Sequence, residues 1–476
     1  MSWFDPDDGD HLKEECGVVG VTGPAHAAHH AYLALYALQH RGQEATGIVS
    51  SDGRRFHQHK AQGLVAETFS PGIIEGLKGS AAIGHNRYST SGGSTSDNVQ
   101  PIRVTYHGGE IALAHNGQLV NGSTLRRAME TKGSIFQTTS DSEVILHRIA
   151  ASRAGSLDAR LMDALGEVTG AFSLTILAGH CIYVARDPSG FRPLVLGKMD
   201  DGWIAASETC ALDIVEAEFV REVEPGEVVA LETFGPRTVG RLPAADQHRC
   251  VFELIYFSRP DSIVFGDSVD AARRRFGQRL AEEHPVEADC VIAVPDSANS
   301  AALGYAEASG IPFELGLIRN HYIGRTFIRP GQNSRESGVR LKYNIVRPML
   351  AGKRVIMVDD SIVRGTTSRK LVKLLRRGGV KEIHFRVASP PVRGSCHYGI
   401  DTPSEDELIA ANHSLEEIRN YLGVDSLGYL SEEGLRGSVS APDHHCYACF
   451  NRQYPFQPPV ETDKAGKDDA ALPSRS

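Results

Sequence analysis

Two adjacent aspartates, Asp359 and Asp360, close an apolar run and open a loop of glycine and hydroxyl residues in VIMVDDSIVRGTT, Val355 to Thr367. Side by side, two carboxylates repel a phosphate unless a divalent cation or sugar hydroxyls intervene, so a phosphorylated sugar carrying Mg2+ suits them. Gly365 and the hydroxyls of Thr366 and Thr367 suit the phosphate itself, which the open N–H groups of a helix N-terminus attract. Without a ligand, the same residues read as an acidic turn before a helix cap. A second group lies near the start of the chain. Cys16 in EECGVVG is followed by QHRGQEATG (Gln39 to Gly47), GHNRYST (Gly84 to Thr90), AHNGQLVN (Ala114 to Asn121) and TTSDSEVI (Thr138 to Ile145). A cysteine heading a strand of small residues is either core or nucleophile. Taken singly, Arg87 reads as a surface ion pair and Asn116-Gly117 as a hairpin turn. A third group is the C-x-x-C of His445-Cys446-Tyr447-Ala448-Cys449, which lacks the second C-x-x-C of a zinc site.

These residues need elements to hold them. Val355 to Val358 is short, β-branched and apolar, like a parallel strand buried on both faces, and Ser368 to Arg377 has helical spacing. The loop between them therefore lies at a strand's carboxyl end, where doubly wound sheets bind ligands. ADCVIAVPDSANSAALGYAEASGIP repeats strand, loop and helix with Gly310 as its cap, and Gly378 and Gly379 close the helix behind Arg376 and Arg377. Pro295-Asp296-Ser297 thus belongs to a second ligand-facing loop, although Ser297 alone reads as an N-cap. This alternation means a parallel sheet. Before about residue 245 the rhythm is shorter, with alternating strands such as IALAHNGQLV and AFSLTILAGHCIYVARD between Gly, Ser and Asn turns. The boundary falls in GRLPAADQHR, residues 240–249, and the polar C-terminal residues have the composition of a disordered tail.

Length and composition agree with two domains: 476 residues exceed one ordinary core, and 41% hydrophobic with 23% charged residues is usual for a globular chain. The net charge of -9, with dispersed basic residues, argues against nucleic acid as a principal partner. No run of eighteen apolar residues exists, and the acidic first fifteen residues do not resemble a signal peptide, so a cytoplasmic, membrane-free protein is expected. Eight unevenly spaced cysteines point to catalysis or metal rather than a disulfide scaffold.

The strand, DDSIVRGTT and helix together resemble the phosphoribosyl diphosphate (PRPP) signature of the type I phosphoribosyltransferases. That resemblance implies that Asp359 and Asp360 meet the ribose hydroxyls or the metal. It also implies that Ser361, Arg364, Gly365, Thr366 and Thr367 hold the 5-phosphate, and that Ser297 joins the two aspartates around Mg2+. The segments of the first 240 residues occur in the order of the class II glutamine amidotransferases, which resemble other N-terminal nucleophile hydrolases. Carried over, Cys16 is the nucleophile, with its own α-amine (pKa about 7.7–8.0) as base. Asn116 and the Gly117 N–H form the oxyanion hole. Arg87 pairs with the α-carboxylate of L-glutamine, Asp141 with its α-ammonium, and Arg41, Gly42 and Thr90 complete the pocket. Because Cys16 is preceded by fifteen residues, residues 1–15 are expected to be a propeptide.

Both halves together resemble the glutamine phosphoribosylpyrophosphate amidotransferases, specifically the branch with a propeptide and an iron–sulfur cluster. The implied fold is α+β then α/β: an αββα sandwich over 16–245, a doubly wound parallel sheet with C-terminal helices over 246–455, and a tail over 456–476. The implied reaction converts PRPP, glutamine and water to 5-phosphoribosylamine, glutamate and diphosphate, opening de novo purine synthesis, with ammonia channelled between the sites. Gly324 to Asn344 has the composition of a lid; the resemblance implies that Arg325 and Lys342 hold the diphosphate and that YFSRPDS (Tyr256 to Ser262), which resembles a family segment near the domain junction, couples PRPP binding to the glutaminase. Cys250, Cys396, Cys446 and Cys449 match the ligands of a [4Fe-4S] cluster, although four thiolates also suit Zn2+. Cys181, Cys210 and Cys290 read as core. Feedback inhibition by purine nucleotides and a homotetramer are implied by the family. Another class II amidotransferase would replace DDSIVRGTT, and a PRPP-sensing regulator would lose the glutaminase residues; this chain does neither.

Overall fold

The computed structural model describes residues 16–88, 96–232, 234–320 and 342–456. Its first half is built from β1 (Gly17–Thr22), β2 (Ala45–Ser51), β3 (Phe56–Gln62), β4 (Ala81–Arg87), β5 (Ile102–Tyr106), β6 (Gly109–Leu119), β7 (Gly170–Ala178), β8 (Cys181–Arg186), β9 (Val195–Met199), β10 (Gly202–Ala206), β11 (Glu218–Glu222), β12 (Glu227–Glu232) and β13 (Gly235–Arg241). They form two antiparallel sheets, ordered β11-β9-β10-β1-β4-β2-β3 and β13-β12-β8-β7-β6-β5.

Alternation along each strand decides the layers. In β1, Val18 points into the space between the sheets with Val49, Ile83, Ala112 and Leu177, while Val19 and Val21 point outward to the helix Ala27–Ala37. The far face of the second sheet is covered by the helices Ser142–Ala151 and Leu157–Leu165 through Ile145, Ile149 and Leu161. Three apolar layers separate four structural ones, which is the αββα sandwich expected.

In the second half the strands Cys290–Ala293, Arg354–Asp359, Glu382–Val387 and Ser426–Tyr429 pair in parallel, in chain order. Both faces are buried. Val291, Ile356 and Val358 meet the side covered by the helices Val269–Glu283 and Asn299–Ser309; Ile292, Val355 and Met357 meet the side of Thr366–Arg377 and Leu415–Leu422. The near-continuous apolar runs in the sequence follow from this double burial. No strand or helix lies between Arg241 and Arg249. After it, a wide helical turn over Glu253–Phe257, closed by a bond from the Ser258 N–H to the Glu253 carbonyl, leads into the second half.

Candidate functional site

Cys16 stands directly before β1, 7% exposed, and its thiol donates to the Tyr88 carbonyl at 3.5 Å. Burial pushes the thiol up to about 11; the Tyr88 contact and the Arg87 charge oppose this, while Glu44 and Asp141 reinforce it. At neutral pH the thiol keeps its proton and needs a base to become a nucleophile. Arg87 ends β4 and is 4% exposed, so it is not a surface ion pair; burial lowers its pKa against the opposing fields of Cys16 and Glu44.

β6 runs unbroken through Asn116 and Gly117, which excludes a hairpin turn there. It packs on β4, where the His85 ring lies 3.1 Å from the His115 carbonyl. Asn116 is 1% exposed, and its amide nitrogen has no hydrogen-bond partner among the described residues. An unmade buried donor costs about 1–3 kcal/mol, and such a cost is tolerated where a ligand supplies the missing acceptor. Phe172, opposite Gly117, directs its own N–H and carbonyl to Asp187, so Gly117 occupies a non-hydrogen-bonded position of the β6–β7 ladder. Asp141 accepts the Leu119 N–H at 2.7 Å and so fixes the end of β6 just beyond Gly117. Gly42 packs on the backbone of Asn86 and Arg87. Arg41 packs its β-carbon beside Gly17, next to Cys16. Its guanidinium is buried, with Nε 2.6 Å from Glu208 and Nη2 2.5 Å from Glu253, so it serves the junction with the second half. Thr90 lies outside the described residues.

At the carboxyl end of the parallel sheet, Asp359 closes its strand and Asp360 leaves it. Ser297 Oγ donates to one oxygen of Asp360 at 2.5 Å and Ser361 Oγ to the other at 2.6 Å, while the Asp360 N–H donates to Asp359 at 3.0 Å. Ser297 is not an N-cap, since Ala298 caps the helix Asn299–Ser309. Oxygen ligands from two carboxylates and a hydroxyl fit Mg2+, which retains several waters. Gly365 caps the next helix in the left-handed conformation (φ 74°), so the helix begins at Thr366, two residues earlier than its apolar spacing predicts. Its first N–H groups have no partner within the helix. The Arg364 guanidinium lies 3.0 Å from both oxygens of Glu407. Lys342 adjoins Tyr343, whose hydroxyl donates to the Pro295 carbonyl at 3.3 Å, beside the Ser297 loop. Arg325 and most of the expected lid lie outside the described residues.

Among the cysteines, Cys250 and Cys446 are register partners in a two-residue parallel ladder, and Cys396 Sγ accepts the Tyr398 N–H at 3.3 Å. Burial first raises the thiols of Cys250, Cys446 and Cys449; the charge of Cys396 adds to all three and that of Cys250 to Cys446 and Cys449, so the four share one electrostatic neighbourhood. None is in a disulfide. Among the described residues, no group of three or more His, Cys, Asp or Glu side chains is arranged to hold a metal ion. Four thiolates in one neighbourhood suit a [4Fe-4S] cluster or Zn2+. The all-sulfur donor set fits the cluster. Cys210 and Cys290 are buried core residues and Cys181 is half-buried.

Several residues here escape a sequence reading. Glu44 lies in the field of Cys16 and Arg87. Glu208, Glu253 and Arg192 are fully buried and meet Arg41 or one another at the junction. A lone acid inside the apolar run CVFELIYF is the signal that Glu253 must have a buried partner. Arg273, also buried, donates to the Leu254 and Ser258 carbonyls at 2.9 and 2.7 Å. Burial lowers its pKa to about 10 against the charge of Asp360, so the junction reaches the diacid loop.

Comparison with known proteins agrees with this arrangement. Residues 85–213 match a glutamine amidotransferase domain family. The chain is 50% identical over 98% of its length to amidophosphoribosyltransferase 1 of Arabidopsis thaliana, a chloroplastic protein of which it covers 83%. It is 49% identical over 94% of its length to the amidophosphoribosyltransferase of Bacillus subtilis, covering 95% of that protein. Two solved structures superpose on it, each spanning 94% of this chain. One is an allosteric regulatory enzyme of purine biosynthesis, 98% covered (TM-score 0.90, 48% identity). The other is the glutamine PRPP amidotransferase of B. subtilis complexed with ADP and GMP, 99% covered (TM-score 0.89, 47% identity). No helix among the described residues is long and apolar enough to cross a membrane. With a glutamine amidotransferase sandwich and a phosphoribosyltransferase-like sheet in one chain, and identity near one half along almost all of it, this protein belongs to the amidophosphoribosyltransferase family.

Proposed function

We propose that the chain converts PRPP, glutamine and water to 5-phosphoribosylamine, glutamate and diphosphate, the first step of de novo purine synthesis, in the cytoplasm. What carries this reading is the coexistence, in one chain, of a buried thiol set among Arg87, Glu44 and Asp141 with a hydroxyl–diacid loop at the end of a parallel sheet. Cys16 attacks the glutamine carboxamide and forms a thioester as ammonia leaves; water then releases glutamate. Removal of residues 1–15 frees the α-amine that takes the thiol proton. The orphaned Asn116 amide and the Gly117 N–H receive the oxyanion, and Arg87 and Asp141 hold the two ends of the amino acid.

Ammonia bonds to C1 of PRPP as the bond from C1 to the diphosphate oxygen breaks. In bulk water it would be protonated and lost as a nucleophile, so its transfer requires an interior path. Asp359 and Asp360 hold the ribose hydroxyls, and the loop from Ser361 to Thr367 holds the 5-phosphate. Ser297 with the two aspartates would hold Mg2+, which when bound offsets the charge of the diphosphate. The test is PRPP-dependent glutamate formation, with 5-phosphoribosylamine appearing in equal amount, measured with and without Mg2+. Glutamate release that ignores PRPP, with no phosphoribosylamine formed, would refute the reading.

Cys250, Cys396, Cys446 and Cys449 would hold a [4Fe-4S] cluster, whose iron–thiolate bonds tie the junction, the second domain and the C-terminal segment together. Anaerobically purified protein is expected to be brown, to contain about four iron and four sulfide per chain as the cluster formula requires, and to have the mass of a chain starting at Cys16. Colourless protein with one zinc would exclude the cluster, and active protein starting at residue 1 or 2 would exclude the processing. Inhibition by purine nucleotides and a homotetramer complete the proposal, with support from the nucleotide-bound B. subtilis relative for the first. Sedimentation and kinetics with and without ADP and GMP address both.

A further inference from the structure

Gly117 (φ 138°) is enclosed by backbone on two sides. A methyl group on Gly117 would lie 2.1 Å from the Ala171 carbonyl oxygen, and one on Gly399 (φ 109°) would lie 2.9 Å from both Cα and carbonyl carbon of Gly117. The second contact crosses from one half of the protein to the other. Gly399 is held in place by its neighbour: the Tyr398 carbonyl accepts from Arg192 at 2.7 Å, its ring stacks on Phe191 at 4.5 Å, and its hydroxyl donates to the Phe456 carbonyl at 2.9 Å. Ala171, Phe191 and Tyr398 form one small apolar cluster beneath Gly117.

We propose that Tyr398 and Gly399, although carried by the second domain, are positioning residues of the glutaminase. Their backbone presses on the Gly117 peptide and fixes the direction of its N–H in the oxyanion hole. The inference rests on the assignment of Asn116 and Gly117 to that hole. Two left-handed glycines in backbone contact leave no slack, so a single carbon inserted at residue 399 must shift the Gly117 peptide. An oxyanion donor acts only in the transition state, so its displacement lowers kcat and leaves substrate affinity alone.

Gly399→Ala is therefore expected to lower glutamine-dependent kcat by roughly 10^2-fold, the effect of losing one oxyanion donor. KM for glutamine should hold within about twofold, as for loss of a transition-state contact alone. Ammonia-dependent synthesis and the rate of Cys16 alkylation by iodoacetamide should match the parent, because neither uses the hole. Tyr398→Phe keeps the ring stack, removes one anchor, and is expected to lower the same kcat by about fivefold, in line with one hydrogen bond. Loss of ammonia-dependent synthesis in both variants would show a purely structural interface and overturn the proposal, as would a raised KM at parental kcat. Cys16→Ser separates the two layers of inference. If it abolishes glutamine-dependent activity while Gly399→Ala retains parental kcat, only the positioning role fails; if Cys16→Ser retains that activity, the glutaminase assignment itself fails.

Discussion

Replacing Asp359 and Asp360 together with asparagine is expected to abolish synthesis from glutamine and from ammonia alike. Both aspartates are buried at the carboxyl end of the central strand, and Asp360 is bonded to Ser297, Ser361 and, through its N–H, to Asp359. Asparagine preserves the shape of each side chain and removes only the charge that meets ribose hydroxyls and Mg2+. Two lost contacts to charged groups, at about 2 kcal/mol each, amount to roughly a 10^3-fold fall in kcat/KM for PRPP. The measurement is steady-state synthesis with each nitrogen donor, alongside PRPP binding by calorimetry. Retention of ammonia-dependent synthesis would remove Asp359 and Asp360 from the PRPP site. The rate of Cys16 alkylation by iodoacetamide serves as an internal control, because the glutaminase half contains neither residue.

Cys16→Ser should give the opposite pattern. Burial already raises the thiol to about 11, so the site relies on a base and an oxyanion hole to generate a nucleophile, and a serine hydroxyl is harder still to deprotonate. Glutamine-dependent synthesis should fall by roughly 10^4-fold or more, as for other removed nucleophiles, while ammonia-dependent synthesis continues at the parental rate. Partial activity with glutamine, or a joint loss of both reactions, would contradict the division of labour between the two halves.

The sequence reading succeeded where local chemistry is dense. DDSIVRGTT revealed its strand, its loop and the helix behind it because parallel strands buried on both faces leave unbroken apolar runs. The helix start was misread there because Gly365 supplies a left-handed cap that apolar spacing does not register. Asn116-Gly117 read as a turn when taken singly because the pair has turn chemistry, yet long-range pairing with β7 carries β6 straight through it. Arg41 and Arg364 each form an ion pair that the sequence does not announce, for a common reason. Sequence gives the position of an arginine but not the direction of its guanidinium, and each met a carboxylate far along the chain, Glu253 and Glu407. The buried charges of the junction were the least legible part, since Arg41, Arg192, Glu208 and Glu253 acquire their meaning only when distant segments meet.

That junction bears on how such a chain can be divided or recombined. Arg41 comes from the first half and Glu253 from the second, and each neutralises the other away from water. Separating the halves between residues 241 and 249 would leave Arg41 with Glu208 but strip Glu253 of both Arg41 and Arg192, at a cost of about 3–5 kcal/mol, a large share of the stability of an ordinary domain. The two halves therefore cannot behave as interchangeable modules: a second half joined to another ammonia source would need new cations for Glu253. Inheritance of the pair as a unit is a requirement of electrostatics before it is one of metabolism.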